Sequence, residues 1–413
     1  MVPDAEGRHV RETVSMDIPS TSREEMAGSG EARTLRQRLA RLGVTGRTAR
    51  FALLVFVISR LAFVALTLVV VRVYQHSGGP ANFVDAWSRY DATYYARLAH
   101  DGYQGGHLLY RAAYFPLQVV LTALAAPIAG GNTSVSATVV ANLSFFVALL
   151  GLGSLALRDA DEPAARRAML YVTLFPTAFF LFAGYAESLF LATAIWSIVC
   201  CRRGFWWQAG ALGLLAAMTR QVGIFLVLPF AYEYARQAGW QWRRIRFDAL
   251  AILLIPCGLL LFMFWLWRNT GDPLAFSHAE KYWQHNLTAP WTTFADAARS
   301  WRSPDRIFTF RTSMDFLGLA VIAATLIFGA RGSRAIRPGD WAYAAAAWLL
   351  VIVYPTAGWV LQSDARYMLI EFPCFLWIAR QPWPRWLHVA LLALSAALLF
   401  AMTQYFLRGK VII

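Results

Sequence analysis

The feature that most constrains this chain is a series of apolar segments, each about 15 to 25 residues long, that recurs from Phe51 to the C-terminus. Short polar segments, many of them rich in arginine, separate the apolar ones. An apolar segment of this length suits an α-helix that crosses a bilayer, because such a helix satisfies its own backbone polar groups. Only 15% of the residues are charged, whereas a soluble protein carries about 25%. The sequence therefore predicts an all-α polytopic membrane protein.

About eleven segments are predicted to cross the membrane. By residue number they are 51–74, 134–157, 169–183, 186–201, 205–222, 224–238, 249–267, 314–330, 341–357, 367–380 and 386–406. The apolar segment 114–131 is predicted to be an interfacial or re-entrant helix on the outer side, because a crossing there would move the arginines of most later loops out of the cytosol. Residues 1–50 are polar and end in arginines without acids. They are predicted to form a disordered, basic, cytosolic tail, followed by a transmembrane domain over 51–413.

The net charge of +14 is explained by topology rather than by a nucleic-acid partner. Arginines concentrate in the loops that are predicted to be cytosolic: Arg158, Arg166, Arg167, Arg202, Arg203, Arg236, Arg243, Arg244, Arg246, Arg331, Arg334, Arg337, Arg380 and Arg385. Two long segments, at about 75–133 and 268–313, are predicted to be extracytoplasmic. Among the short outer turns, Arg366 is the one basic residue.

A carboxylate surrounded by aromatic residues follows the first predicted span. Trp87, Asp91, Tyr94 and Tyr95 recur at helical spacing, which predicts one helix face that carries both the acid and the rings. Aromatic rings are common at membrane surfaces, and a carboxylate can accept the proton of a hydroxyl. The same pattern fits a capping box with Ser88 as N-cap and Asp91 at N3, so both interpretations stay open from the local sequence.

Further polar residues at the predicted outer ends of spans are candidates for a site. Glu187 is expected either to cap the helix that follows it or to pair with Arg220. Arg366 is expected to bind a phosphate or to anchor a lipid head group. Asp272, in a Gly-Asp-Pro turn, and Trp283 lie in the second long outer segment.

No metal or cofactor is assigned from the sequence. His278, Glu280 and His285 lie close together in the chain, but their spacing matches no recognised zinc pattern. Asp159 and Asp161 form a DxD string, of the kind that binds metal–nucleotide sugars. This string lies in a short predicted cytosolic loop without a nucleotide-binding fold around it, so it is not predicted to be a site.

Together these motifs resemble the PIG-V family, the GPI mannosyltransferase II group of GT-C glycosyltransferases, in its bacterial form. The matching segments run in order through about 51–413, and the tail lies outside them. They are residues 87–103 with 114–117, 174–180 with 185–190, 219–220, 271–276 with Trp283, and 363–373. The most specific of them are Glu187-Ser188-Leu189-Phe190 and Gly271-Asp272-Pro273-Leu274-Ala275-Phe276.

The resemblance implies a GT-C fold whose active site faces away from the cytosol, in a bacterial cell membrane. It implies transfer of a sugar, expected to be mannose, from a polyprenyl-phosphate donor by an inverting, metal-independent displacement. Asp91 is then the general base, and Arg366 and Arg220 bind the donor phosphate. The sugar or acceptor pocket is assigned to Trp87, Tyr94, Tyr95, Glu187, Asp272 and Trp283.

The acceptor is expected to be a glycolipid, a glycan or a protein outside the cytosol. The alternative function is that of a lipid-linked sugar transporter or flippase, which would also explain broken helices and buried ions. No inverted repeat is visible in the sequence, and the polar residues cluster at the predicted outer face rather than at the midplane. Both observations favour the transferase.

Overall fold

The computed structural model is all-helical over the residues that it describes, which are 42–103, 108–282, 285–300, 302, 306–331, 335–355 and 364–410. The α-helices are α1 Gly46–Tyr74, α2 Phe83–Trp87, α3 Asp91–Asp101, α4 Leu108–Arg111, α5 Pro116–Ala125, α6 Thr133–Asp159, α7 Glu162–Leu174, α8 Glu187–Cys201, α9 Trp206–Ala217, α10 Val227–Gln237, α11 Leu254–Thr270, α12 Ala275–Tyr282, α13 Pro290–Ser300, α14 Arg306–Phe328, α15 Pro338–Val353, α16 Asp364–Tyr367, α17 Phe372–Ala379 and α18 Arg385–Leu407. Short 3₁₀ segments are Ala126–Ala129, Ala178–Leu181, Gln221–Leu226, Trp242–Arg244, Phe247–Leu253 and Met368–Ile370. The all-α prediction is confirmed.

The predicted tail falls mostly outside the described residues, since the description begins at Leu42. The first helix, however, starts before the predicted span. Thr45 caps α1 by accepting a hydrogen bond from the backbone N–H of Thr48 at 3.1 Å, so that residues 46–50 belong to the helix rather than to the tail.

Among the described residues, four helical stretches are long and apolar enough to cross a membrane: Gly46–Tyr74, Thr133–Asp159, Phe247–Thr270 and Arg385–Leu407. The other apolar helices are shorter, and prolines account for several of the breaks. Pro176 lies between α7 and the 3₁₀ turn that follows it, and Pro373 lies at the start of α17, where its missing N–H interrupts the helix before it. The protein is thus a multi-pass membrane protein, while the count of eleven spans stays a prediction.

The segment predicted to be interfacial or re-entrant is a short helix in the structure. Helix α5 and its 3₁₀ continuation cover Pro116–Ala129, which amounts to about 21 Å at 1.5 Å per residue. This length falls short of the roughly 30 Å hydrocarbon core of a bilayer. Helix α8, which is predicted to cross, is about as short, so whether Pro116–Ala129 crosses stays a prediction.

The core is built around α6 and α8. Nearly every residue of α8 is buried, and it packs against α6 and α9. Helix α9 closely approaches α11 and the 3₁₀ segment before it, because Gly210 and Gly258 have no side chain. A Cβ at Gly258 would overlap the Leu214 carbonyl oxygen of α9, and a Cβ at Gly210 would overlap the Ala251 carbonyl oxygen of the 3₁₀ segment. By contrast, α1 and α18 keep large apolar side chains such as Leu61 and Leu394 exposed, as lipid-facing helices do.

A buried network of ion pairs ties together one end of the helix bundle. Arg202 bridges Asp159 and Asp340, and its side chain is 0% exposed. Asp159 also pairs with Arg337 at 2.8 Å and with Arg380 at 3.0 Å. Charges buried this deeply persist only when they are paired. The first acid of the DxD string is therefore part of a structural network.

Further ion pairs extend this network along α10. Glu233 accepts from Arg337 and, at 2.8 Å, from Arg236. The second acid of the DxD string, Asp161, caps α7 by accepting a hydrogen bond from the Ala164 N–H at 2.7 Å. Both acids of the string thus have local structural roles.

The charged residues that the structure describes at the helix ends form two sets, one at each end of α8. Glu187 begins this helix and Arg202 follows it directly, so the two ends lie about 22 Å apart at 1.5 Å per residue. The network residues come from loops that are predicted to be cytosolic, whereas Glu187 and its partners come from turns predicted to lie outside. Charge patterning therefore separated the loops that gather at one end of α8 from those that gather at the other. Which end faces the cytosol stays a prediction.

Arg60 lies within α1, and its partner could not be predicted from the sequence. Its guanidinium lies 4.5 Å from the ring centroid of Phe145, and its Nη2 donates to the carbonyl oxygen of Leu181 at 3.3 Å. Aromatic faces and a backbone carbonyl thus surround this charge in the bundle, as expected for an ionised side chain within a membrane helix.

Candidate active site

A cavity of about 610 Å³ opens at the end of the bundle where α8 begins. Its volume falls in the range of about 300–1,000 Å³ that is usual for small-molecule sites. The wall brings together the start of α3, the segment before α5, the turn after α9, α12, the end of α15 and α16. The lining residues are Tyr90, Asp91, Thr93, Tyr94, Tyr95, Arg97, Ala113, Tyr114, Phe115, Thr219, Arg220, Gln221, Val222, Ser277, Glu280, His285, Leu350, Val351, Tyr354, Pro355, Arg366 and Tyr367.

A strained turn places Asp91 at the N-terminus of α3. Tyr90, the residue before the helix, has φ 49° and ψ −124°, a conformation that costs a side-chain-bearing residue about 1–3 kcal/mol. Asp91 is the first residue of α3, and Ser88 closes the preceding helix α2. The capping box with Asp91 at N3 is therefore wrong, because the chain turns between the two residues instead of continuing as a helix.

Two donors hold the Asp91 carboxylate. Arg366 Nη1 lies 2.6 Å from Asp91 Oδ2, and the Tyr114 hydroxyl donates to Asp91 Oδ1 at 3.2 Å. Burial raises the pKa of Tyr114, so its hydroxyl stays protonated and keeps donating. The Asp91 side chain is 27% exposed, and Asp91 lines the cavity. The carboxylate is therefore oriented by the protein and still accessible to a ligand.

Glu187 holds two arginines together behind the cavity wall. Its side chain is fully buried, and its Oε1 accepts from Arg220 Nη1 at 2.7 Å and from Arg366 Nε. The predicted pair between Glu187 and Arg220 is confirmed. Glu187 is also the first residue of α8, where the helix dipole favours a negative charge. Glu187 therefore orients the arginines; it is not among the residues that line the cavity, and its contact with a sugar or an acceptor stays a prediction.

The two arginines differ in how much of their bonding capacity the protein already uses. Arg366 is 9% exposed, bonds to two carboxylates, and lies 4.7 Å from the ring centroid of Tyr185. Arg220 is 16% exposed, bonds to Glu187 and lies 5.2 Å from the ring centroid of Tyr367. Arg220 is thus the more open of the two cations toward an anion in the cavity.

Of the predicted aromatic pocket residues, Tyr94 and Tyr95 line the cavity whereas Trp87 does not. The Tyr94 ring stacks on Tyr114 at a centroid distance of 5.1 Å. Trp87 is buried in the core, with its ring 4.4 Å from that of Phe182, and its Nε1 donates to Thr67 Oγ1 at 3.0 Å. The pocket role of Trp87 is corrected. Helical spacing predicted Trp87 and Asp91 on one face, but the break before α3 places Trp87 in the core and Asp91 in the cavity wall.

Replacing Trp87 by phenylalanine is expected to lower the free energy of unfolding by roughly 1–3 kcal/mol, because Thr67 loses its buried donor and the core loses volume. Thermal unfolding of the purified protein in detergent measures this change. The matched control is Trp207→Phe at an exposed position, which is expected to stay within about 0.5 kcal/mol of the wild type. Equal effects of the two substitutions would contradict the core assignment.

Asp272 and Trp283 complete the predicted pocket set. Asp272 lies in the turn between α11 and α12, where its carboxylate accepts from the Leu274 N–H at 2.9 Å and lies 2.6 Å from His278 Nδ1. The hydrogen bond from His278 lowers the pKa of Asp272. Asp272 thus shapes the turn that starts α12 and is not among the lining residues, so its place in the pocket stays a prediction. Trp283 lies outside the described residues.

Several lining residues were not assigned to the site from the sequence. Tyr114 and Tyr367 lie in segments that carry the family resemblance, and Glu280 and His285 lie together in a third segment, but no spacing pattern links the three segments. Glu280 and His285 were considered only as metal ligands. Over the part of the chain that the structure describes, no group of three or more His, Cys, Asp and Glu side chains could hold a metal ion.

The arrangement joins a basic group to an anion-binding group in one cavity. Asp91 can accept a proton from a hydroxyl within hydrogen-bond reach. Arg220 and Arg366 can stabilise negative charge on a neighbouring phosphate through charge-assisted hydrogen bonds. The tyrosines Tyr94, Tyr95 and Tyr367 add flat rings and hydroxyl groups to the wall.

Comparison with known proteins finds similarity in structure only. No family model matches the sequence, and no curated protein matches it either. The crystal structure of ArnT from Cupriavidus metallidurans bound to undecaprenyl phosphate superposes with a TM-score of 0.50 at 14% identity, over 85% of this chain and 76% of that one. Archaeal oligosaccharyltransferase AglB from Archaeoglobus fulgidus, in complex with an inhibitory peptide and a dolichol-phosphate, gives 0.43 at 12% identity, over 89% and 56%. The protein therefore has a GT-C-type fold, as the sequence predicted.

Proposed function

We propose that this protein is a membrane glycosyltransferase that moves a sugar from a polyprenyl-phosphate donor to a hydroxyl group of an extracytoplasmic acceptor. The observation that carries the proposal is the cavity in which Asp91 lies beside Arg366 and Arg220. A proton acceptor next to two cations suits the attack of a hydroxyl on a sugar phosphate. The fold that the chain shares with a protein crystallised with undecaprenyl phosphate supports a lipid phosphate as the donor.

The reaction is a single displacement at the anomeric carbon. The acceptor oxygen forms a bond to that carbon while its proton passes to Asp91. The bond between the anomeric carbon and the phosphate oxygen breaks, and its electron pair leaves with the polyprenyl phosphate. A sugar hydroxyl is too weak an acid to ionise beforehand, so the base must act during the attack. The attack comes from the face opposite the phosphate, which inverts the configuration, and no step requires a metal.

The structure supports a division of labour between the two arginines in this reaction. Arg366 already bonds to Asp91 and Glu187, so it holds the base in place and adds positive charge near the phosphate. Arg220 is more open to the cavity and is the principal donor-phosphate ligand. Charge that builds on the leaving phosphate in an oxocarbenium-like transition state is then stabilised by both cations.

The motif resemblance supports the finer assignment to a bacterial PIG-V type of mannosyltransferase. On this proposal the sugar is mannose, the protein lies in the bacterial cell membrane with its N-terminus in the cytosol, and the cavity opens on the extracytoplasmic side. Nucleotide sugars stay in the cytosol, so a site on that side needs a donor that is carried by lipid. The acceptor is a glycolipid, a glycan or a protein.

Purified protein in lipid, incubated with radiolabelled undecaprenyl-phosphate-mannose and a membrane extract, tests the function. A labelled product that depends on the protein is expected, and its isolation identifies the acceptor. Label that crosses the bilayer on the lipid without a new glycosidic bond would instead support the transporter. If undecaprenyl-phosphate sugars other than mannose give product and mannose does not, only the choice of sugar is wrong.

Replacing Arg220 by lysine is expected to lower kcat/KM for the donor by about 10-fold, because lysine keeps the charge but loses the planar fork that bonds to Glu187 and to a phosphate at once. Initial rates at varied undecaprenyl-phosphate-mannose measure the change. The matched control is Arg268→Lys at an exposed end of α11, which is expected to leave the rate unchanged. An Arg220→Lys variant with wild-type kinetics would remove Arg220 from the phosphate site.

A further inference from the structure

The cavity has a second polar wall, which is built by α12. One face of this helix is apolar: Ala275, Phe276 and Ala279 pack into a cluster with Phe115 and Phe262. This packing sets the rotation of the helix about its axis. The other face, with Ser277 and Glu280 three residues apart, lines the cavity. Glu280 is therefore directed into the cavity by the packing of its own helix.

His285, which follows α12 in the chain, lies beside the Glu280 carboxylate. The backbone N–H of His285 donates to the carbonyl oxygen of Glu280 at 3.0 Å. His285 Nδ1 lies 2.9 Å from the carbonyl oxygen of Tyr354, and its Nε2 lies 3.7 Å from Glu280 Oε2. A carbonyl oxygen can only accept, so Nδ1 carries the proton and Nε2 is the nitrogen that faces Glu280. The imidazole is thus clamped between α15 and α12, with one defined edge toward the carboxylate.

Glu280 differs from Asp91 in how strongly the protein holds it. Asp91 bonds to Arg366 at 2.6 Å, whereas the nearest His285 nitrogen, Nε2, lies 3.7 Å from Glu280 Oε2, beyond hydrogen-bond distance. The Glu280 side chain is 32% exposed, and it lies in the cavity wall. Burial raises the pKa of Glu280, and the charges of Arg220 and Asp91 are near enough to act on it. The two carboxylates therefore share one cavity, but Glu280 keeps more of its hydrogen-bonding capacity for a ligand.

We propose that Glu280, directed into the cavity by the packing of α12 and flanked by His285, binds a hydroxyl group of a sugar ring held in the cavity and so positions that ring against Asp91. A carboxylate that faces a cavity accepts strong hydrogen bonds from hydroxyl groups, and the neighbouring Tyr354 and Tyr367 add further hydroxyl groups to the wall. The inference rests on the proposed glycosyl transfer and adds a substrate-binding residue to it. The ring belongs to the donor or to the acceptor, which present the same chemistry.

The variant Glu280→Gln tests the proposal, with donor and acceptor concentrations varied separately. The expected result is an increase of about 10- to 100-fold in KM for one substrate, the size of one lost charge-assisted hydrogen bond, with kcat within about threefold of the wild type. An increase for undecaprenyl-phosphate-mannose shows that the donor ring is held, and an increase for the acceptor shows that the acceptor ring is held. Unchanged KM values for both, or a loss confined to kcat, would overturn the proposal.

Two further variants separate binding from a merely structural role. His285→Gln is expected to raise the same KM as Glu280→Gln. If Glu280 and His285 only stabilise the segment that follows α12, both variants lower the thermal unfolding temperature and leave KM unchanged. Lys281→Gln alters the charge of the same helix at an exposed position outside the cavity wall, and it is expected to change neither quantity.

Donor binding tests the role of Glu280 even if the wild type transfers no sugar. Thermal stabilisation by undecaprenyl-phosphate-mannose is then compared with stabilisation by undecaprenyl phosphate, because a ligand that binds the folded state raises its stability in proportion to affinity. Wild type is expected to prefer the sugar-bearing lipid, and Glu280→Gln is expected to lose that preference. An equal preference in both proteins, or none in the wild type, would overturn the assignment of Glu280.

Discussion

Replacing Asp91 by asparagine is expected to reduce glycosyl transfer by about 100- to 10,000-fold, the usual contribution of a general base. Asparagine has nearly the same size and can still accept the hydrogen bond from Tyr114 through its one carbonyl oxygen, while the ion pair with Arg366 is lost. An amide cannot take up the proton of the attacking hydroxyl, so the displacement loses its proton acceptor. The loss should therefore fall on kcat, while the affinity for the donor lipid changes little.

The measurement compares single-turnover rates and donor binding for wild type and Asp91→Asn in the same lipid. Asp101→Asn is the matched control, because Asp101 belongs to the same helix, carries the same change and pairs outside the cavity with His100 at 2.7 Å. The control is expected to keep wild-type turnover. Near-normal turnover in Asp91→Asn would contradict the role of Asp91 as the base. Loss of donor binding alone would show that Asp91 acts only as a structural partner of Arg366.

Replacing Arg202 by methionine is expected to destabilise the protein by about 3–5 kcal/mol, because it leaves buried carboxylates without their shared cation. Arg202 is 0% exposed and bridges Asp159 and Asp340. Methionine fills much of the same volume, so the expected loss comes from charge rather than from a cavity. Chemical or thermal unfolding in detergent measures the change, which should appear mainly as a large fall in the yield of folded protein.

The control for this prediction is Arg236→Met in the same network. Arg236 is 40% exposed and pairs with Glu233 three residues away on its own helix, a kind of pair that is worth about 0–1 kcal/mol. Transfer per folded molecule is expected to be unchanged in both variants, because the network lies at the other end of α8 from the cavity. Equal destabilisation by the two substitutions would contradict the view that burial makes Arg202 important.

Local patterns predicted the helical architecture well. Hydropathy located some helices near their observed bounds, as for α6, which spans Thr133–Asp159 against a predicted 134–157. It was wrong for the predicted span 169–183, because α7 covers Glu162–Leu174 and the chain breaks after it. Charge patterning sorted loops into two groups, and it also suggested the pair of Glu187 and Arg220 that the structure contains. These properties are local or cumulative along the chain, since helix formation and membrane insertion depend on segments of about 20 residues.

The same kind of pattern failed where the chain changes direction. Helical spacing put Trp87 and Asp91 on one face, yet the positive φ of Tyr90 breaks the helix between them, so that Trp87 enters the core and Asp91 the cavity. Asp272, which its motif assigned to the pocket, shapes a turn in the structure, and its place in the pocket stays a prediction. A break of this kind depends on contacts that hold a strained residue in place, and such contacts are made by distant parts of the chain.

The sequence by itself determined that this protein is a helical, multi-pass membrane protein with polar residues gathered at the ends of its helices, because hydrophobic length and charge act residue by residue against the bilayer. Only the tertiary structure decided which of those polar residues meet. Asp91, Glu187, Arg220 and Arg366 come from four separate segments, and a buried carboxylate must find its cations by packing rather than by spacing. The opposing wall, with Glu280 and His285, likewise exists because an apolar face of α12 packs into its cluster and turns the other face inward.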